Sequence, residues 1–236
     1  VTAFLDALPL AARRELFDVG RLTNVIVGET LFRYDDLNNQ VYLLLDGWAK
    51  GWAYTDYGGH ALVRLYRPRE LIGAEPALIG YRLARQERVT SATMARVLAV
   101  AGSWFAEFLR HHPDASGLVN RSLIGRLHEA DQRLAAVAVS HSASQRLAQV
   151  IYPLIKDAHP DREGLVALPV PLTQEELGWL AGLSRVSVTR VLRQWRQQGR
   201  VLTGYRDLRF PVLEWFEASG TFARSFDDCI TDVDTV

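Results

Sequence analysis

The chain has 236 residues, 48% of them hydrophobic, enough apolar material for one large or two ordinary domains. Its formal net charge is zero, so no global charge draws it to nucleic acid or to a membrane surface. The single cysteine, Cys229, excludes a disulfide framework and an iron–sulfur cluster and suits a reducing compartment. With no apolar run near the roughly eighteen residues of a membrane span, and no secretory signal pattern at the start, the expectation is a cytoplasmic protein with no membrane partner.

Leu5, Leu8, Leu10 and Leu16 recur among polar residues, which predicts a short helix at the start. "VIVGETLFRYDD" and "QVYLLLDGWAKGWAYTDYGGHALVRLYRP" then alternate apolar and polar residues in short runs. Gly28, Asp35, Asp46, Gly47, Gly58 and Gly59 interrupt them. Short strands with such turn signals predict an antiparallel barrel over residues 1–102. "TDYGGH" reads as a hairpin turn, and "VTSATMARVLAV" as the last strand.

Residues 103–139 read as a central helix. Leu118, Leu123, Leu127, Ala130, Leu134 and Val137 are its apolar positions, and the steps after Leu123 are 4, 3, 4 and 3. That a/d seam fits a helix packed on its own domain and a dimer helix equally well.

Residues 140–216 form a third unit, followed by an acidic tail at 217–236. Thr173 with Glu176 makes a capping box, so a helix starts there. Gly182 ends it, and Ser184 caps the next helix. Val188, Val191, Leu192 and Trp195 form that helix's buried stripe. Arg185, Ser187, Thr189, Arg190, Arg193 and Arg196 are left outward or sideways. Gly199 terminates the helix, and "RVLTGYRDLRF" reads as a two-stranded wing. From Ala167 to Phe216, seven arginines stand against four acids, a local charge asymmetry hidden by the neutral total. Two helices joined by a short turn, with basic and hydroxyl residues on the second, predict a helix-turn-helix that binds double-stranded DNA.

"LTQEELGWLAGLSRVSVTRVLRQWRQQGRV" resembles the DNA-binding motif of the Crp/Fnr superfamily of bacterial transcription regulators. "GETLFRYDD", "VYLLLDGWAKGW" and "RPRELIGAEPAL" resemble its sensor barrel, and the seam helix resembles its dimerisation helix. The resemblance implies an α+β fold: an N-terminal cyclic-nucleotide-binding-like antiparallel β-barrel (jelly roll), a long central dimerisation helix and a C-terminal winged helix-turn-helix. It implies a homodimer on a palindromic operator, acting with RNA polymerase. Arg185, Val186 and Arg190 take the base-reading positions. Val186 departs from the glutamate many members carry, which favours a different operator. Thr173, Ser184 and Ser187 match positions that touch phosphate, and Thr189 and Arg193 share the same face.

The sensor motif departs further. Family members that bind cyclic nucleotides have Gly-Glu after the turn and Arg-Ser before the last strand. Here Gly73 is followed by Ala74, with Glu75 one place late, and Arg85-Gln86 is the best match to Arg-Ser. Arg82 and Arg88 are alternative phosphate ligands. The expectation is a barrel that binds another small molecule or none, with no cofactor and no dependence on cyclic AMP. The alternative is a ligand-responsive regulator with an unusual pocket. His60, His111, His112, His128, His141 and His159 form no haem signature. The rival reading, a cupin-like barrel enzyme, needs metal-binding histidines on its strands, and residues 1–100 hold only His60. No metal site and no catalytic residue are expected. A DNA-free scaffold is disfavoured by Arg185 and Arg190.

Overall fold

The computed structural model describes residues 3–54, 58–79, 83–139, 142–211 and 215–216. The expected acidic tail with Cys229, and the candidates Arg82 and His141, lie outside the described residues, as does 55–57 of the "TDYGGH" turn. The chain divides into two compact units, Val1–Leu127 and His128–Val236.

The first unit opens with α1 (Phe4–Ala7) and α2 (Leu10–Val19). Leu5, Leu8 and Leu16 are buried as expected, whereas Leu10 begins α2 and is exposed. Eight strands follow: β1 (Arg21–Val25), β2 (Thr30–Phe32), β3 (Gln40–Asp46), β4 (Ala49–Tyr54), β5 (His60–Tyr66), β6 (Leu71–Ile72), β7 (Arg88–Ser91) and β8 (Ala95–Ala101). The short helix α3 (Glu75–Ile79) sits between β6 and β7. The strands form two four-stranded sheets, ordered β1-β8-β3-β6 and β2-β7-β4-β5, with antiparallel pairing throughout. Val25, Phe32, Leu44, Tyr66, Val89 and Val97 from both sheets make one core. "VTSATMARVLAV" is therefore two strands in different sheets, because the chain turns at Ala92–Met94.

The opposite face of the first sheet carries a second core. Val41, Leu43, Leu98 and Val100 pack there with Leu16, Phe105 and Phe108. Phe105 and Phe108 belong to α4 (Gly102–His111), whose first amide donates to Asn39 Oδ1 at 2.9 Å. The next helix, α5, runs Pro113–Ala138. The expected single helix from 103 is thus broken at His112. A residue before proline avoids helical backbone, while proline itself suits a helix's first position.

Helix α5 divides its apolar residues. Ala115 and Val119 are buried in the second core, and Leu118 and Leu123 pack against it. Those two seam positions serve their own domain. Ile124, Leu127, Leu134 and Val137 remain exposed, at 51%, 64%, 70% and 50%. Ala130 is exposed among them. The unoccupied stripe is thus shifted from the expected seam by inclusion of Ile124.

In the second unit, α6 (Ala143–Ile155) starts at a Ser142–Gln145 capping box. It is followed by β9 (Val166–Ala167), α7 (Gln174–Ala181), α8 (Arg185–Gln197), β10 (Leu202–Thr203) and β11 (Leu208–Phe210). The sheet order is β10-β11-β9, so the wing has a third strand from before the helix pair. Two residues of β9 are too few to read from a sequence pattern. Among the described residues, no helix is long and apolar enough to cross a membrane.

Candidate nucleic-acid interface and barrel interior

The α7–α8 pair is built by its caps. Thr173 Oγ1 accepts from the Glu176 amide at 3.1 Å, and Glu176 accepts from the Thr173 amide at 2.7 Å. Gly182 ends α7 at φ 62°, a left-handed conformation costly for a residue with a Cβ. Its carbonyl accepts from Arg146 Nη1 at 2.9 Å, which ties the turn to α6. Ser184 then caps α8 by accepting from the Ser187 amide at 3.1 Å.

Helix α8 has 13 residues, about 20 Å of length at about 1.5 Å per residue. Val188, Val191, Leu192 and Trp195 are buried. Trp195 Nε1 donates to Ser144 Oγ at 2.9 Å, so the polar edge of the deepest side chain is satisfied. With that stripe committed, Arg185, Val186, Thr189, Arg190 and Arg193 share the exposed face. Val186 is 67% exposed, an apolar side chain with no packing role. Ser187 lies at the edge of this face, its hydroxyl 3.0 Å from that of Ser184. Thr189 Oγ1 lies 2.6 Å from Gln174 Oε1 and 2.9 Å from the Arg185 carbonyl.

The structure thus gathers Thr173, Ser184, Arg185, Val186, Ser187, Thr189, Arg190 and Arg193 on the helix pair. It adds residues that the sequence reading missed. Gln174 joins through Thr189. At the wing tip, Tyr205 is 91% exposed, and the Arg206 guanidinium lies 5.7 Å from its ring. The Gly-Tyr-Arg-Asp run was the available signal for that tip.

Of the four expected ligand residues that the structure describes, the barrel interior brings Gly73 and Arg85 together and leaves Glu75 and Arg88 elsewhere. Gly73 has φ +71°, and a Cβ there would meet Arg85 Nη1 at 2.5 Å. Its absence lets the guanidinium in. Arg85 is 3% exposed and donates to the Gly73 carbonyl at 2.7 Å and to the Gln40 carbonyl. It also covers the Phe32 ring at 4.3 Å. Burial lowers the Arg85 pKa. Glu75 starts α3 rather than lying on a strand. It pairs instead with Arg126 of α5 at 3.4 Å. Arg126 donates to the Leu71 carbonyl at 2.6 Å and lies 5.2 Å from the Tyr66 ring. Arg88 points away from this interior. Its neighbour Val89 is in the core, and side chains alternate along a strand.

Glu87, two places before Val89, faces inward and accepts from the Tyr66 hydroxyl. Tyr66 in turn receives Arg64 Nη1 at 3.3 Å. Burial pushes the Glu87 carboxyl up, against the pull of Arg64 and the Tyr66 hydrogen bond. Burial, then the Glu87 charge, pushes the Tyr66 phenol up. His60 lies against Trp52 and Tyr54, and His112 Nε2 is 2.7 Å from Glu15. Among the described residues, no group of three or more His, Cys, Asp or Glu is placed to hold a metal.

Residues 24–112 match the cyclic nucleotide-binding domain family, and residues 145–215 match the Crp-like helix-turn-helix domain family. The chain is 25% identical to the global nitrogen regulator of Synechocystis over 72% of its own length and 75% of that protein's. It is 22% identical to the nitrogen fixation regulation protein FixK of Bradyrhizobium diazoefficiens, over 85% of its length and 82% of the relative's. In fold it resembles the c-di-GMP-responsive global regulator CLP of Xanthomonas campestris, with TM-score 0.71 at 15% identity. That match covers 87% of this chain and 100% of that one. FixK2 from Bradyrhizobium japonicum gives 0.68 at 17% identity, covering 87% and 98%.

The Glu87 environment yields a pH prediction. A carboxyl whose folded pKa is raised contributes stability that is present below its unfolded pKa and lost as pH rises through the folded value. Glu87→Gln removes that titration. Its unfolding midpoint in urea should vary less than the wild type's between about pH 4 and 7. Parallel pH profiles for the two proteins would refute the assignment.

Proposed function

The chain belongs to the Crp/Fnr superfamily of transcription regulators, and we propose that it works as a homodimer whose α8 reads a palindromic operator without help from a cyclic nucleotide. It is a helix-turn-helix regulator with a cyclic nucleotide-binding-type domain, not an enzyme. The observation that carries the reading is the exposed face of α8, with three arginines, a valine and a threonine, and no acid. A helix fits the major groove, and arginine bonds both acceptors of a guanine edge. Arg185 and Arg190 take that role. Val186 packs on a thymine methyl, which selects a different base pair from the one a carboxylate would read. Thr173 and Ser184 each accept a backbone amide; the Thr173 hydroxyl proton is free to donate to phosphate, and the Ser184–Ser187 hydroxyl pair, which shares one hydrogen bond, keeps one proton for it. Arg193 extends the same contact, and Thr189, whose hydroxyl donates to Gln174 and the Arg185 carbonyl, steadies the face between them. Such a protein works in the cytoplasm and acts on RNA polymerase from its operator.

The sensor reading rests on Arg85 and Glu75. A cyclic phosphate needs a free guanidinium, and Arg85 is committed to two carbonyls. A ribose needs a free carboxylate, and Glu75 faces Arg126. Displacing Arg85 would strand buried polar groups, which is costly. Operator binding, followed by mobility shift, should therefore be equal with and without saturating cyclic AMP. A large gain on adding the nucleotide would overturn this.

Two variants divide the DNA roles. Arg190→Ala should lose about 1–3 kcal/mol and relax preference at one base pair. Arg193→Ala should weaken all sequences alike and lower the salt slope by about one. Binding-site selection on both reads the difference, and identical behaviour would show the roles misassigned.

The exposed stripe of α5 supports the dimer. Two such helices side by side would bury Ile124, Leu127, Leu134 and Val137 and set two recognition helices about 34 Å apart. Leu127→Glu with Leu134→Glu puts unpaired charge into that contact. The variant should sediment as a monomer with unchanged helix content and weakened operator binding. A dimeric variant refutes the contact.

A further inference from the structure

The outer face of the β2-β7-β4-β5 sheet holds a recess of about 430 Å³ lined by Thr30, Arg33, Tyr34, Tyr54 and Arg88. Its position follows from strand alternation. Val89 points into the core, so Arg88 and Thr90, one step to either side of it, point out, and Thr30, paired with Thr90 across a bulge that leaves both Leu31 and Phe32 on the core, points out with them. Arg88 is paired in register with Trp52, and Tyr54 lies two residues further along β4 on the same face. Trp52 Nε1 donates to Thr90 Oγ1 at 2.9 Å, which steadies that surface.

The chemistry of the lining is one-sided. Among the described residues, neither the Arg33 nor the Arg88 guanidinium has a hydrogen bond or an ion pair, and no carboxylate lines the recess. Arginine presents a flat fork of donors that matches carboxylate and phosphate oxygens. Beside the two cations, the Tyr34 and Tyr54 rings lie 5.4 Å apart, tilted by 40°. Tyr34 is 44% exposed, so part of this aromatic surface is open to solvent. The recess is within the usual size range of small-molecule sites, roughly 300–1,000 Å³.

We propose that this recess binds a small aromatic anion, its carboxylate or phosphate held between Arg33 and Arg88 and its ring laid against the Tyr34–Tyr54 pair. The site is separate from the barrel interior and from α8, so it stands or falls independently of the DNA-binding reading. Both halves of the ligand are needed. The arginines supply charge-assisted hydrogen bonds, and the tyrosines supply apolar contact and edge-to-face or offset ring packing.

The test is calorimetric titration of the full chain with phenyl phosphate and benzoate, beside inorganic phosphate and phenol as the separate halves. At least one aromatic anion should bind once per chain, and each half should bind at least about tenfold more weakly, a loss of about 1.4 kcal/mol. Preference for phenyl phosphate identifies a phosphate monoester as the occupant. Preference for benzoate identifies a carboxylate. Arg33→Ala with Arg88→Ala should weaken binding at least about tenfold while leaving the thermal unfolding midpoint and operator binding in place. Tyr54→Phe should keep affinity, and Tyr54→Ala should lose it. No saturable binding of either aromatic anion, phenol binding as tightly as its phosphate ester, or unchanged affinity in the double arginine variant would each overturn the proposal.

Discussion

Burial of Trp195 decides what the DNA-binding unit shows to solvent. An α-helix turns by 100° per residue, so one buried stripe leaves one exposed face. Trp195, Val188, Val191 and Leu192 occupy the inner stripe of α8, and Ser144 on α6 accepts the indole proton. The arginines then have one place to go. Caps set where the helices start and stop, but this contact sets how α8 is rotated about its axis. A rotation by one residue would bury Arg193 and expose Val191.

The barrel is governed by a different constraint, the cost of burying charge. Arg85, Arg64, Arg126, Glu75 and Glu87 all lie in or beside its interior, and each has a partner among carbonyls, phenol or opposite charge. Such a network holds together because an unpaired member would be expensive. It also links α5 to the sheet, since Arg126 reaches the carbonyl of Leu71 on β6.

Helix α5 shows how one element meets two demands. Ala115 and Val119 are fully committed to the core beside the barrel, while Leu127 and Leu134 are left exposed. The seam pattern could not separate these halves, because both consist of aliphatic residues at steps of three and four. Periodicity reports that a face is apolar and is silent on what covers it.

Local signals were the legible ones. The capping box at Thr173, the left-handed Gly182, the Ser184 cap and the buried stripe of α8 are each set by neighbours within four residues, where side-chain and backbone chemistry suffice. Strand alternation and turn residues likewise announced an antiparallel barrel. Long-range contacts decided the rest. The split of one apparent strand at Ala92–Met94 and the third wing strand depend on partners far along the chain. The fate of the barrel arginines is the sharpest case. Arg85 and Arg88 are three residues apart and look alike in sequence, yet one is buried against Gly73 and the other stands on the outer face. Only the pleat of β7 and the missing Cβ of Gly73 distinguish them, and both are properties of the assembled sheets.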